Sequence, residues 1–134
     1  MFIKYIANFH HKDQMYGNVP YFEHLEAVAN SVKSAYPGDY AAEALAWVHD
    51  ILEDTECTIK ELEHLGTEVC EALHAITFDP DIETRAIYIQ RVKANPLALK
   101  VKIHDTLCNL RACIEQANYK RARKYNDQLQ ELLK

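Results

Sequence analysis

Apolar residues recur at steps of three and four along most of the chain, the spacing that gathers side chains on one face of an α-helix. The pattern is clearest in two stretches, whose expected core residues are Tyr21, Leu25, Val28 and Val32, and Leu45, Val48 and Leu52. Alternating apolar and polar positions rich in β-branched residues are scarce. The sequence therefore predicts an all-α protein.

Signals for helix boundaries lie between these periodic stretches, where all three glycines and all four prolines are found. Pro20 and Pro96 suit the first turn of a helix, and Asp39 and Asn95 suit N-caps. Thr58 and Glu61 form a capping-box pattern. Together these signals predict a bundle of about six to eight helices. The expected helices cover approximately residues 2–11, 20–36, 40–52, 58–66, 67–77, 83–94, 96–113 and 119–134.

Length and composition indicate one folded domain over residues 1–134. The chain has 134 residues, 49% of them hydrophobic and 26% charged, which allows a sizeable core. A net charge of −5 argues against general nucleic-acid binding. No apolar run is long enough to span a membrane, and residues 1–12 lack the apolar segment of a secretory signal. A cytoplasmic location without a membrane partner is therefore expected.

The four cysteines form no C-x-x-C pair; they are Cys57, Cys70, Cys108 and Cys113. Because no feature of the chain suggests an oxidising compartment, we expect buried free thiols. Neither a zinc site nor a disulfide framework is predicted from the spacing of these residues.

The first candidate for chemistry is the adjacent pair His49-Asp50, which offers an imidazole nitrogen and a carboxylate oxygen. Such donors suit Mn²⁺, Fe²⁺ or Zn²⁺. His24 lies beside the core stripe of the preceding helix, where a helix crossing could direct it inward. Asp105 lies in a mostly apolar helix, where an unpaired carboxylate would cost several kcal/mol of desolvation free energy. Coordination of a metal ion would offset that cost.

Two further carboxylates follow the pair at helical spacing. Glu53 comes four residues after His49, and Asp54 comes four residues after Asp50. Residues four apart share one helix face. The sequence therefore predicts acidic groups beside the metal that need not be its ligands.

The order of these residues resembles the H…HD…D signature of the HD-domain metal-dependent phosphohydrolases. The string WVHDILEDT, residues 47–55, is similar to the hydrolase domain of the Rel/SpoT alarmone enzymes and of their small stand-alone relatives. So are P-Y-x-x-H, which ends at His24, and V-K-x-x-D-x-x-x-N-L, which begins at Val101. The resemblance extends from about Ala7 to Arg111 and implies a compact HD-domain helical bundle.

This resemblance also implies roles for particular side chains. It implies a metal ion bound by His24, His49, Asp50 and Asp105. The metal in this branch is usually Mn²⁺, and Fe²⁺, Co²⁺ and Zn²⁺ are the other candidates. Glu53 and Asp54 match the pair that positions and activates the attacking water, and Asn109 matches a residue that positions substrate and water. The chemistry implied is metal-assisted hydrolysis.

The family's substrate is a guanosine that carries a 3′-diphosphate, from which pyrophosphate is released. Lys102, one turn before Asp105, is a candidate for supplying positive charge to the phosphates. Arg91 and Arg85 are weaker candidates for the same role. The alternative for each of these three residues is a solvated helix face.

The chain departs from the family pattern near the expected base-binding position. In the alarmone hydrolases an Arg usually follows an H-x-x-Q stretch and packs on the guanine. Here Gln14 ends that stretch, and Met15 and Tyr16 follow. A Tyr ring can stack on a purine but lacks the charge and donors of a guanidinium. Tyr16 is therefore a candidate substrate contact that leaves the base preference open.

We expect structural roles for several other polar groups. His104 precedes Asp105 where the family commonly has a small residue, and a partly exposed histidine is the favoured interpretation. The basic residues near the start of the last helix favour a solvated face over a phosphate or nucleic-acid patch; they are Lys120, Arg121, Arg123 and Lys124.

The sequence thus predicts an Mn²⁺-dependent phosphohydrolase of the guanosine-3′,5′-bis(diphosphate) 3′-pyrophosphohydrolase type, whose partner is a phosphorylated nucleotide. One alternative keeps the enzyme class and changes the substrate, for example to an adenine alarmone. The other is a non-catalytic relative that binds nucleotide or metal. Oligomeric state is not predicted.

Overall fold

Helices form most of the computed structural model, which describes residues 2–134. The described α-helices are α1 (Phe2–His10), α2 (Tyr21–Ala35), α3 (Tyr40–Val48), α4 (Ile51–Asp54), α5 (Thr67–Ile76), α6 (Arg85–Ala94), α7 (Pro96–Glu115) and α8 (Tyr119–Leu133). A 3₁₀ helix covers Ile59–Leu65, and two short strands are β1 (Met15–Tyr16) and β2 (Val19–Pro20). The predicted all-α fold is confirmed.

Local capping explains where several helices begin. The Asp39 side chain accepts a hydrogen bond of 3.1 Å from the backbone N–H of Ala42 at the start of α3. Asn95 accepts one of 3.0 Å from Ala98 at the start of α7. Thr58 and Glu61 form the predicted capping box, although the helix that they open is 3₁₀. These interactions are local, which is why the sequence predicts them.

A hairpin that the sequence does not predict joins α1 to α2. Tyr16 pairs with Val19 and Met15 with Pro20 in antiparallel register. Gly17 has φ of 62°, a left-handed conformation that suits glycine in a two-residue turn. Pro20 ends β2 and precedes α2, so it is not the first residue of that helix as predicted. The hairpin holds Tyr16 close to α2.

The core lies around α7, which packs against α2, α3, α5, α6 and α8. The core residues predicted for α2, namely Tyr21, Leu25, Val28 and Val32, are all buried. In α1 the buried residues are Ile3 and Ala7, whereas Phe2, Tyr5 and Phe9 are exposed. The largest aromatic side chains of α1 therefore do not face the core.

Two other expectations concern cysteines and membranes. All four cysteines are free thiols, and two of them, Cys57 and Cys113, are buried. Among residues 2–134, none of the helices combines the length and apolar character that crossing a bilayer requires.

Candidate active site

Two histidines and two aspartates from three parts of the chain meet in the interior. His24 comes from α2, His49 and Asp50 from the junction of α3 and α4, and Asp105 from α7. One ligand atom from each lies within 4.8 Å of the others. Nε2 of His24 is 3.0 Å, and Nε2 of His49 3.2 Å, from Oδ1 of Asp105. The four side chains form a candidate metal-binding site.

A break in the helix brings the adjacent pair together. α3 ends at Val48, Asp50 has φ of −104° and ψ of 2°, and α4 begins at Ile51. The predicted continuous helix over 40–52 is therefore wrong at this point. Neighbouring side chains on an unbroken helix point about 100° apart. Here Nε2 of His49 lies 3.1 Å from Oδ2 of Asp50, so both side chains point toward the same site.

His49 is oriented for metal binding by its other ring nitrogen. Nδ1 lies 2.7 Å from the carbonyl oxygen of Ala46, so Nδ1 carries a proton and donates it. Nε2 is buried and has no hydrogen-bond partner among the described residues. A buried ring nitrogen beside two carboxylate oxygens is the arrangement that a bound cation would satisfy, with the cation taking the place of a proton on Nε2.

The charges of the cluster are strongly coupled. Burial opposes ionisation of His49, but Asp50 and Asp105 still raise the pKa of its imidazole well above the ordinary value. Burial also opposes ionisation of Asp105, whereas Lys102 and His49 hold the pKa of that carboxyl well below its usual range. Nζ of Lys102 lies 3.1 Å from Oδ2 of Asp105. The cluster thus holds its carboxylates ionised, as a metal site requires.

Glu53 and Asp54 lie beside this cluster and are held by separate contacts. Glu53 accepts a hydrogen bond from the backbone N–H of Phe78. Partial desolvation raises the pKa of Glu53 to about 7. Oδ2 of Asp54 accepts a hydrogen bond of 3.0 Å from Gln14, whose Oε1 lies 2.7 Å from Nδ1 of His11.

Tyr16 and Asn109 connect the hairpin to α7. The Tyr16 hydroxyl donates a hydrogen bond of 2.6 Å to Oδ1 of Asn109. Nδ2 of Asn109 in turn donates one of 3.2 Å to Oδ1 of Asp105. The Tyr16 ring stacks on His24 at a centroid distance of 4.5 Å and an interplanar angle of 12°. Both residues therefore touch side chains of the candidate metal site.

A cavity of about 320 Å³ opens over the cluster. Its walls include Glu53, Asp54 and Tyr16. The basic side chains that line it are Arg85, Lys102, Arg121 and Lys124. Two neighbouring cavities, of about 760 and 260 Å³, also border Tyr16. An anion in the first cavity would thus lie near four basic side chains as well as near the carboxylates of the cluster.

The structure does not bring Arg91 to this cavity, contrary to the role predicted for it. Its guanidinium donates to Glu83 and to the carbonyl oxygens of Ala75 and Thr77. These contacts explain the difference, because they direct the side chain to the end of α5. Arg85, one of the weaker candidates, does line the cavity.

Two basic residues of α8 also lie in a different environment from the one predicted. Arg121 and Lys124 are exposed, as predicted, but they line the cavity instead of facing bulk solvent away from it. Their spacing of three residues places them on one helix face. Sequence reasoning missed them because only the packing of α8 on α7 carries that face to the site. His104 is half-buried beside Ser31, in line with its predicted structural role.

An all-α fold brings two histidines and two aspartates together, with an adjacent His-Asp pair at a helix break, and this arrangement agrees with the resemblance to HD-domain proteins. Similarities to known proteins agree with this class. The chain is 33% identical over 98 residues to human guanosine-3′,5′-bis(diphosphate) 3′-pyrophosphohydrolase MESH1, covering 69% of this chain and 55% of the relative. The mouse protein of the same name shows the same identity and coverage. The chain thus spans about half the length of these curated relatives.

A comparison with solved structures supports the same fold. A solved structure described as a metazoan ortholog of SpoT that hydrolyses ppGpp matches with a TM-score of 0.83 and 23% identity. The match covers 98% of this chain and 84% of the other. No protein-family model matches the chain. The predicted resemblance to the HD-domain ppGpp hydrolases and the predicted helical bundle are both confirmed.

Proposed function

We propose that this chain is a metal-dependent phosphohydrolase that removes pyrophosphate from the 3′ position of a guanosine alarmone such as (p)ppGpp. The observation that carries the proposal is the cluster of His24, His49, Asp50 and Asp105 beneath a cavity lined by basic side chains. The similarity to MESH1, which bears that activity in its name, supports the choice of substrate.

The two histidines and two aspartates would hold the metal ion, for which we propose Mn²⁺. Imidazole nitrogens and carboxylate oxygens suit this ion, and Fe²⁺, Co²⁺ and Zn²⁺ accept the same donors. When bound, such an ion lowers the pKa of a coordinated water and neutralises charge on a phosphoryl group. The chain's own contribution is to orient the ligands, as the contact of His49 with Ala46 illustrates.

Glu53 and Asp54 are proposed to position and deprotonate the attacking water. A carboxylate with a pKa of about 7, as in Glu53, can accept a proton near neutral pH. Asp54 is fixed by its hydrogen bond from Gln14, so its other oxygen keeps a defined direction. Asn109, held between Tyr16 and Asp105, is proposed to position substrate through its amide.

The phosphates of the substrate are proposed to bind to the basic side chains of the cavity. Lys102 is largely buried and already neutralises Asp105, so it contributes charge close to the cluster. Arg85, Arg121 and Lys124 lie in the cavity wall and are proposed to bind the outer phosphates. The net charge of −5 is compatible with this role because the positive charge is local.

One observation favours a second class of substrate for the same type of hydrolysis. Tyr16 stands where the family commonly has an Arg that packs on guanine. Its hydroxyl donates to Asn109 and one face of its ring lies on His24, so this side chain offers a base an aromatic surface without a cation. We therefore also consider another phosphorylated nucleotide, for example an adenine alarmone, as the substrate.

The decisive experiment measures pyrophosphate release from ppGpp by the metal-stripped chain before and after Mn²⁺ is added. Asp50→Ala is assayed in parallel, with Asp127→Ala as a control that removes an exposed carboxylate outside the cavity. We expect release that requires Mn²⁺ and Asp50 and is unchanged in the control. Fe²⁺, Co²⁺ and Zn²⁺ additions test the identity of the metal.

A comparison of ppGpp with an adenine alarmone as substrates distinguishes the alternatives. Faster release from an adenine alarmone than from ppGpp would favour the second substrate class. If the chain binds Mn²⁺ and nucleotide but turns over neither, the proposal of an enzyme is wrong and a non-catalytic binding protein remains. Metal content measured on the same samples distinguishes an inactive protein from one that was not loaded with metal.

A further inference from the structure

A second group of metal-ligating side chains lies apart from the candidate active site. His10 is the last residue of α1, Cys57 lies between α4 and the 3₁₀ helix, and Glu61 lies in the first turn of that 3₁₀ helix. Ligand atoms of these three residues all lie within 4.8 Å of one another. None of them belongs to the active-site cluster or lines its cavity.

The surroundings hold two of these donors in place. Cys57 is buried, with 5% of its surface exposed, so its thiol has little freedom to move away. Oε2 of Glu61 accepts a hydrogen bond of 2.6 Å from the backbone N–H of Thr58 in the capping box. Cys57 directly precedes Thr58 in the chain. The capping box therefore holds the Glu61 carboxylate close to Cys57. His10 is half-buried and contacts Phe9 edge to face.

The ligand atoms of these three residues favour some metal ions over others. Thiolate, imidazole and carboxylate together are typical Zn²⁺ ligands, whereas Mn²⁺ and Mg²⁺ favour carboxylate-containing sites without a thiolate. Three protein ligands would leave a fourth tetrahedral position for water. The active-site cluster contains no thiol, so the two sites differ in the metals that they prefer.

We propose that His10, Cys57 and Glu61 form a second metal site that binds Zn²⁺ and joins the end of α1 to the start of the 3₁₀ helix. Because the site contains residues distant in sequence, the ion would stabilise the fold by a contact that the backbone alone does not provide. This proposal does not depend on the proposed enzymatic activity.

Binding at this site has a defined proton balance. Cysteine binds zinc as a thiolate, so the proton of the Cys57 thiol must leave when the metal binds. Zinc binding forms the zinc–sulfur bond and releases the thiol proton to solvent. The affinity for Zn²⁺ should therefore increase as the pH rises.

Cobalt spectroscopy tests the proposal on the full chain, because a bound thiolate gives Co²⁺ a near-ultraviolet charge-transfer band. The active-site cluster offers no sulfur, so that band reports on a cysteine outside the cluster. We expect the band in the wild-type chain and its loss in Cys57→Ser. Cys70→Ser and Cys108→Ser are matched controls that should keep it. Asp50→Ala should also keep the band, because it alters only the active-site cluster.

Zinc titrations provide a second measurement. His10→Ala and Glu61→Gln should weaken zinc binding at this site by about tenfold or more, since even indirect changes around metal ligands cost that much. Gln at position 61 preserves the capping box, so the fold is expected to remain intact by circular dichroism. Zinc should raise the melting temperature of Asp50→Ala but not of the Asp50→Ala, Cys57→Ser double variant.

The proposal is overturned if the folded wild-type chain shows no thiolate–cobalt band. It is also overturned if the band persists in Cys57→Ser or disappears in Cys108→Ser. A zinc stoichiometry that falls to zero in Asp50→Ala would likewise contradict a second site. None of these results bears on hydrolysis of ppGpp, so the two proposals can fail separately.

Discussion

The Tyr16 hydroxyl donates a hydrogen bond of 2.6 Å to Oδ1 of Asn109, which joins the β-hairpin to the middle of α7. Asn109 uses its amide nitrogen on Asp105, so a single chain of contacts runs from the hairpin to the candidate metal site. Because an Asn side chain can rotate, an acceptor contact on its oxygen fixes which end of the amide faces Asp105. Tyr16 therefore orients a residue of the site in addition to bordering the cavities.

Tyr16→Phe tests this relationship. Loss of the hydroxyl removes one hydrogen bond and should lower the free energy of unfolding by about 1 kcal/mol. The release of Asn109 should also lower kcat/KM for ppGpp by about fivefold to tenfold. Urea unfolding and steady-state kinetics measure the two effects. Activity equal to wild type in a properly folded variant would show that the hydroxyl does not position Asn109 for catalysis.

Glu53→Gln should separate stability from activity. Partial desolvation raises the pKa of Glu53 to about 7, so the folded chain keeps a proton that the unfolded chain loses above its ordinary value of 4.5. The stability of the metal-free chain should thus fall as the pH rises from about 4.5 to 7. Gln does not ionise, so Glu53→Gln removes the free-energy cost of a partly buried charged carboxylate. The substitution should raise the free energy of unfolding at pH 8 by on the order of 1 kcal/mol.

The same variant should lose pyrophosphate release by about 10²- to 10⁴-fold, the usual contribution of a general base. Urea unfolding at pH 4 and pH 8, together with the release assay, measures both effects. Asp54→Asn is the comparison variant at the neighbouring carboxylate. Full activity of Glu53→Gln would contradict a proton-accepting role for Glu53.

Arg121→Ala tests whether α8 contributes to substrate binding. Arg121 lines the cavity, whereas Arg123 lies on the same helix and does not. Loss of a charge-assisted contact with a phosphate should raise KM by about tenfold and leave kcat less affected. The difference between wild type and variant should shrink at high salt, which screens exposed charges.

Arg123→Ala is the matched control and should have wild-type KM. Equal effects of the two substitutions would indicate a general change in surface charge, and the assignment of Arg121 to the substrate would be abandoned. Steady-state kinetics at low and high ionic strength provide the comparison.

Glu83→Gln tests the contacts that keep Arg91 away from the cavity. Arg91 lowers the pKa of Glu83 to about 2, whereas the ordinary value is 4.5. A lowered pKa means that the unfolded chain binds more protons in this range, so the contribution to stability is present above pH 4.5 and is lost as the pH falls toward 2. The variant lacks this contribution at every pH.

Urea unfolding of both proteins between pH 2 and 7 measures the effect. The stability difference between wild type and Glu83→Gln should be constant above about pH 4.5 and should narrow below it. Activity should change little, because Arg91 lies outside the cavity. A difference that does not vary with pH would mean that Glu83 and Arg91 form no ion pair in solution.

Much of the fold could be predicted because the sequence patterns that specify helix ends and buried helix faces are local. The caps at Asp39 and Asn95 and the capping box at Thr58 depend on residues three positions apart, and all form as predicted. The buried face of α2 follows from its periodicity. The break between α3 and α4 was not predictable in this way, because an apolar stripe continues through it to Leu52.

The sequence alone determined which residue types could bind a metal, because the order H…HD…D and the isolated Asp105 are visible in one dimension. Tertiary structure decided what surrounds them. Only the packing of α8 on α7 brings Arg121 to the cavity, and the contacts of Arg91 with Glu83 and with the carbonyl oxygens of Ala75 and Thr77 hold it outside. The meeting of His10 with Cys57 and Glu61 likewise leaves no trace in their spacing. Local patterns encode helices and caps, whereas the encounter of distant side chains depends on how helices pack, which no short-range spacing specifies.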